Sequence, residues 1–198
     1  KIKLNNKKQS LPKLLSIKEV EAILKTAETY GKNSYHKAMN HALFELLYST
    51  GMRVTELLSL PLTSLLGNPD MLVIRGKGGY ERLVPVSKKA KVAIKSWLIE
   101  RTKFNSNKTS PFLFPSKSKK GHLNREVFFR LVKQIASQSS LASKKISPHT
   151  IRHAFASHLL ENGADLRVIQ SFLGHADIST TEIYTHVVNE KLKKLVTN

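Results

Sequence analysis

The stretch "SPHTIRHAFASHLL", Ser147 to Leu160, decides how this chain is read. Serine followed by proline marks a helix start. Ser147 can cap, and Pro148 can take the first helical position, where its missing N–H costs nothing. Ile151, Ala154, His158 and Leu159 recur at helical spacing, so one face can enter a core. The other face carries His149, Arg152 and His153. The positive end of a helix dipole disfavours cations on those first turns. A negatively charged partner at that face would account for them.

Composition bounds what that partner can be. The 198 residues are 40% hydrophobic, enough for one compact domain with a core or one domain plus a small appendage. Lys plus Arg number 33 and Asp plus Glu 14, a net charge of +19. Such a balance points to a polyanion, either nucleic acid or an anionic membrane surface. No apolar run approaches the ~18 residues of a membrane span and no signal peptide is visible, so nucleic acid is the better partner and no membrane is expected. Cysteine is absent. That excludes disulfides and thiolate metal sites and fits a cytoplasmic protein. The opening "KIKLNNKKQS", residues 1–10, is polar and basic and reads as a linker that follows a domain lying upstream.

Working outward, the chain reads as mostly helical with one small antiparallel sheet, an α+β fold. Ser16 and Glu19 form a capping-box pattern ahead of Ile17, Val20, Ile23 and Leu24. "HKAMNHALFELLYSTG" is a helix apolar on most sides, hence central, with Gly51 at its C-terminal stop. A helix restarts at once from Arg53 to Leu58. "MLVIRGKGGYERLVPV" reads as a hairpin around a glycine-rich turn. Ala90 to Arg101 is helical through Ala93, Ile94, Trp97 and Leu98. Lys103 to Gly121 is a polar loop interrupted by "PFLFP". Asn124 to Ser137 is helical, and "NG" at Asn162 and Gly163 ends the helix that begins at Ser147. Asp165 caps a helix through Leu166, Ile169, Phe172 and Leu173 that Gly174 stops. A short helix over Thr180 to His186 and a tail helix from Asn189 are expected after it.

Three groups of residues carry candidate chemistry. Arg53 lies one turn before Glu56, so the two can share a face; alone, that is a surface ion pair. Lys77 lies at the hairpin tip between glycines, which let backbone approach a ligand closely; alone, it is a solvated turn lysine. The run is not a P-loop, because no Ser or Thr follows the lysine and no long helix opens there. The third group is His149, Arg152, His175 and Tyr184. Taken singly, each histidine reads as satisfied or solvated, and the tyrosine as core. His149 and His153 at i, i+4 invite a zinc reading, but Arg152 between them opposes a cation and no carboxylate or thiolate completes a set.

Phosphate chemistry unites these residues. Two arginines can grip one phosphodiester through forked hydrogen bonds. Histidines can donate to the same phosphate or move a proton near neutral pH. A lysine can protonate a leaving oxygen, and a tyrosine hydroxyl can attack phosphorus. No acidic cluster suggests a bound metal, so no cofactor is expected and side chains must supply the positive charge.

The compound pattern resembles the tyrosine recombinases, the phage-integrase family, and its Xer-type members in particular. "SPHTIRHAFASHLLENGADLRVIQSFLGHADISTTEIYTH" matches the family signature, and "LLYSTGMRVTELLSL" and "GKGGYERLVPV" match its other two blocks in order. The resemblance runs from about Leu11 to the end. It implies the tyrosine recombinase catalytic-domain fold over residues 11–188. It makes Arg53 and Arg152 the phosphate-clamping arginines and Lys77 the general acid on the leaving 5′ oxygen. His149 would assist proton transfer, His175 would hydrogen-bond the scissile phosphate, and Tyr184 would be the nucleophile of a 3′-phosphotyrosyl link. Glu56 matches the acidic residue that supports the site. An upstream core-binding domain is implied, together with a tail helix over residues 189–198 that contacts a neighbouring protomer. The implied partners are a double-stranded DNA recombination site, further protomers of the same or a related recombinase (a tetramer on two sites), and a septal DNA translocase as activator. The implied task is chromosome-dimer resolution at cell division, with integration of a mobile element as the alternative. Two further readings stay open: a helix–turn–helix DNA-binding module without chemistry over "ADLRVIQSFLGHADISTTEIYTH", and a type IB topoisomerase.

Overall fold

The computed structural model describes residues 15–65, 67, 69–104, 109–142 and 144–174, with only the backbone at Lys77. Among the described residues, seven α-helices and one two-stranded sheet follow in the order α1 (Ile17–Thr29), α2 (Ser34–Thr50), α3 (Val54–Leu58), β1 (Met71–Arg75), β2 (Glu81–Pro85), α4 (Lys88–Thr102), α5 (Arg125–Gln138), α6 (Pro148–Glu161) and α7 (Leu166–Leu173). The expected helices over Thr180 to His186 and from Asn189 lie outside the described residues, as do the linker, His175 and Tyr184.

Helix α2 is the centre. Ala42, Leu43, Phe44, Leu46 and Leu47 are fully buried, and α1, α4 and α6 pack around it. A helix surrounded in this way needs apolar residues on most sides, which is what its sequence shows. Helix α1 starts on the expected capping box, with the Ser16 N–H donating to Glu19 Oε2 at 2.8 Å. It buries Val20, Ile23, Leu24 and Ala27 and leaves Ile17 outside. Helix α6 starts as the serine–proline pair predicts: Ser147 Oγ accepts from the Thr150 N–H, and Pro148 sits in the first turn. Its inner face holds Ile151, Ala154, Phe155, His158 and Leu159.

The buried His158 joins two distant segments. Its Nε2–H donates to the Leu15 carbonyl at 2.8 Å, and its Nδ1 lies 2.9 Å from the Tyr48 hydroxyl. A carbonyl can only accept, so in the neutral ring Nδ1 is the acceptor and the Tyr48 hydroxyl donates to it. This bond ties the chain entering α1 to the helix that carries Arg152.

The strands pair antiparallel, with Leu72 opposite Val84 and Ile74 opposite Arg82 on the inner face. The apolar "PFLFP" interruption is sewn to the segment after α3. The Leu113 N–H donates to the Leu60 carbonyl and the Leu62 N–H to the Pro111 carbonyl, both at 2.8 Å. Trp97 Nε1–H closes over it onto the Leu113 carbonyl. Among the described residues no helix is long and apolar enough to cross a membrane.

Gly51 shows how tightly α2 and α6 meet. It ends α2 at φ +59°, and a Cβ there would stand 2.2 Å from Phe155 Cδ1. Gly51→Ala adds left-handed strain to overpacking, about 2–4 kcal/mol together. Thermal unfolding should show a melting temperature lower by about 4–16 °C. An unchanged value would mean that neither the left-handed backbone at residue 51 nor the contact with Phe155 costs stability.

Candidate phosphate-binding site

The site is built where four elements end or begin. Arg53 is the N-cap of α3, and Glu56 at its third position reaches back so that the Arg53 N–H donates to Oε2 at 2.7 Å. The predicted Arg53–Glu56 pair forms, with Nη1 at 3.1 Å from Oε1. Its stronger partner is one that sequence reasoning missed. Arg82 on β2 forks onto Glu56, with Nη1 at 2.9 Å from Oε1 and Nη2 at 2.6 Å from Oε2. Arg82 is only 4% exposed. The available signal was strand alternation, which puts Arg82 on the same face as Val84.

The C-terminus of α7 gathers the arginines. Three consecutive carbonyls each accept from a different guanidinium: Phe172 from Arg82 Nε–H at 2.7 Å, Leu173 from Arg152 Nη2 at 2.6 Å, and Gly174 from Arg53 Nη2 at 2.9 Å. A helix C-terminus leaves its last carbonyls unpaired and carries partial negative charge, so it suits cations. Arg152 Nη1 also donates to the Gly51 carbonyl. The two arginines predicted to act together thus meet, although about a hundred residues separate them in sequence.

Charge defines what the site lacks. Arg53, Arg82 and Arg152 against Glu56 leave two positive charges. Burial, with the charges of Arg53 and Arg82 and against the opposing pull of Glu56, pushes the Arg152 guanidinium down to about 10. It remains charged at neutral pH, and an anion beside it would relieve the repulsion. For Glu56, burial favours the neutral acid, but the bonds from Arg82 and Arg53 outweigh it and hold the carboxyl below its ordinary range. Its contribution to stability is therefore present above the ordinary glutamate pKa and is lost as pH falls through the lowered one. Each guanidinium has five N–H donors, and the bonds just described engage two on Arg53 and two on Arg152.

Two more predicted residues border this cluster. His149 is exposed on the first turn of α6, one turn before Arg152, with its ring edge-on to Phe129 at 6.1 Å. Lys77 opens the short 3₁₀ turn Lys77–Gly79 at the hairpin tip, where Gly78 takes φ +78°. The tip leans on the ion pair: a Cβ at Gly76 would lie 3.6 Å from both Arg82 Nη1 and Glu56 Oε1. Among the described residues no three His, Asp or Glu side chains gather to hold a metal ion.

A family model described as the phage integrase family matches residues 13–191. The tyrosine recombinase XerD of Rhizobium meliloti (strain 1021) is 50% identical over 196 residues, covering 97% of this chain and 62% of that protein. That of Brucella suis biovar 1 (strain 1330) is 48% identical over 196 residues, covering 96% and 63%. The chain therefore spans less than two thirds of these relatives. A crystal structure of the XerH site-specific recombinase bound to difH substrate, a pre-cleavage complex, aligns with a TM-score of 0.73 at 30% identity, over 92% of this chain and 52% of that one. The fold is that of tyrosine recombinase catalytic domains. The matched span takes in the arginine cluster, the lysine hairpin and the helix that begins at Ser147, and the chain belongs to the phage integrase family.

Proposed function

We propose that this chain is the catalytic domain of a tyrosine site-specific recombinase that cuts and rejoins DNA through a 3′-phosphotyrosyl intermediate. The observation that carries the reading is the pairing of Arg53 and Arg152 on the adjacent carbonyls of Gly174 and Leu173, with donors to spare and a charge of two to balance. A phosphodiester carries one negative charge, and the pentacoordinate species formed on attack carries a second. The site is matched to the latter, so it favours the transition state over the ground state. The difH substrate bound to XerH in the pre-cleavage complex is the ligand class this reading takes over from a relative.

In the proposed step, Tyr184 Oη attacks phosphorus and the bond to the 5′ oxygen breaks. The tyrosine proton passes to His149, and Lys77 gives a proton to the 5′ oxygen. His175 hydrogen-bonds the phosphate beside the arginines. One phosphate ester replaces another, so the reverse step can rejoin strands without an external energy source. The net charge of +19 supports DNA as substrate. In its finer form the proposal makes residues 1–10 a linker from a core-binding domain and residues 189–198 a helix that contacts a neighbouring protomer. It assigns assembly of a recombinase tetramer on two sites, chromosome-dimer resolution at cell division, and activation by a septal translocase. The XerD names of the relatives support this task over element integration.

The test uses the full-length chain on a nicked suicide duplex carrying the site it selects from a random library. A denaturation-resistant protein–DNA adduct is expected, and its absence overturns the reading in favour of binding alone. Lys77→Ala should slow adduct formation by about 10²–10⁴-fold, the usual worth of a general acid. A 5′-bridging sulfur should restore the rate, because a thiol of pKa about 8.5 leaves without a proton. Failure of sulfur to restore Lys77→Ala removes the lysine from that role.

A further inference from the structure

Arg82 lies in the hairpin block yet has no role in the chemistry proposed above, although it makes three hydrogen bonds within the site. Its fork is engaged by Glu56 and its Nε–H by the Phe172 carbonyl. It thereby joins three elements: the hairpin that carries Lys77, the helix start that carries Arg53, and the end of α7 that leads to residue 175. The packing around it is close. Gly174 sits at φ +68°, and a Cβ there would lie 3.2 Å from Arg82 Cδ and Nη1 and 3.3 Å from Arg53 Nη1. We propose that Arg82 is a positioning residue for the phosphate clamp: by fixing Glu56 it sets the direction of the Arg53 guanidinium, and by holding Phe172 it fixes the point from which the rest of the site departs. This inference rests on the recombinase reading above.

The physical argument runs through Glu56. Each carboxylate oxygen accepts twice, once from Arg82 and once from Arg53, whose backbone N–H takes Oε2 and whose Nη1 takes Oε1. Arg82 neutralises the carboxylate, which leaves the charges of Arg53 and Arg152 for a phosphate. Without Arg82, two of the four bonds vanish. The buried carboxylate then turns to its remaining cation, draws the Arg53 fork off the Gly174 carbonyl, and cancels one of the two charges meant for the ligand. Lysine cannot substitute, because it has no planar fork and cannot reach Glu56 and Phe172 in the same geometry.

A double-mutant cycle on the full-length chain and the same suicide duplex tests this. Arg82→Lys should slow single-turnover cleavage by about a hundredfold, the cost of a small misplacement at a reacting centre, with DNA binding within threefold. In an Arg53→Ala background the same change should cost less than threefold, because the residue it acts through is already gone. A hundredfold further loss in that background, or a wild-type rate for Arg82→Lys, overturns the proposal. If Arg82→Lys fails to fold, the pair Glu56→Met with Arg82→Met replaces a buried ion pair by apolar side chains of similar volume, which commonly keeps a fold. That double variant should melt near the wild type yet cleave as slowly as Arg53→Ala, and wild-type cleavage by it overturns the proposal. A wild-type chain that forms no adduct at all overturns the recombinase reading and this inference with it.

Discussion

Tyr184→Phe should abolish the covalent adduct and leave DNA binding within about fivefold of wild type, the worth of roughly one hydrogen bond. The substitution removes only the phenolic oxygen and keeps the ring, so packing is preserved while the attacking atom is lost. No bond to phosphorus can then form. The other four tyrosines make the test sharp. Tyr48 is poorly suited to attack: its hydroxyl is held by His158, and burial, with the charges of Glu21, Glu45 and Glu161, pushes its phenol up to about 12. Tyr35 stacks edge-on against Trp97 and Phe104, and Tyr30 is half-buried. Tyr80, 76% exposed beside the hairpin tip, is the natural control. An adduct that survives Tyr184→Phe and disappears in Tyr80→Phe would move the nucleophile to the hairpin. Peptide mapping of the DNA-linked fragment reads the answer directly.

The second large effect is expected at the arginines. Arg152→Ala should slow cleavage by about 10²–10³-fold, as removal of one donor from a developing oxyanion does elsewhere. Arg53→Ala should cost a similar factor, since in the proposed step both residues face the same charge. Their effects on stability should differ. Arg152 is partly buried, and its loss strands the Gly51 and Leu173 carbonyls, at about 1–3 kcal/mol for a buried group left unpaired. The Arg53 side chain is 44% exposed, so water can replace much of what is lost. Similar rate losses with a larger fall in melting temperature for Arg152→Ala are therefore expected from single-turnover kinetics and thermal unfolding. Cleavage within threefold of wild type for either variant, under about 1 kcal/mol, would make that arginine structural only.

Much of the fold was legible because its signals are local. The capping boxes at Ser16 and Ser147, the glycine stops at Gly51 and Gly174, and the helical spacing of Val20, Ile23 and Leu24 each need only a few neighbouring residues. Ile17 and Leu166 mark the limit of that spacing, since both stand at the first helical position and face outward. What stayed hidden depends on distant partners. Arg82 is buried because Glu56 lies 26 residues away and the Phe172 carbonyl 90 residues away. "PFLFP" is an apolar break in a polar loop until the segment at Leu60 to Leu62 comes beside it. The three carbonyls that gather the arginines are backbone atoms and leave no mark in residue identity. Arg53, Glu56 and Arg152 were readable as residues; what could not be read was that the end of α7 brings them together.

That dependence on α7 has a consequence for the chain during synthesis. Arg53 is made 121 residues before the Gly174 carbonyl that orients it. At ~5–20 residues per second, roughly 6–24 s pass between the two on the ribosome. Throughout that interval Arg53 has no Gly174, Arg82 has no Phe172, and Arg152, when it emerges, must wait for Leu173. The proposed nucleophile at residue 184 comes later still. On any chain that stops before Phe172 the three arginines lack all of these carbonyls, so under the recombinase reading proposed above such a truncated translation product would hold its phosphate clamp unassembled and would not cut DNA.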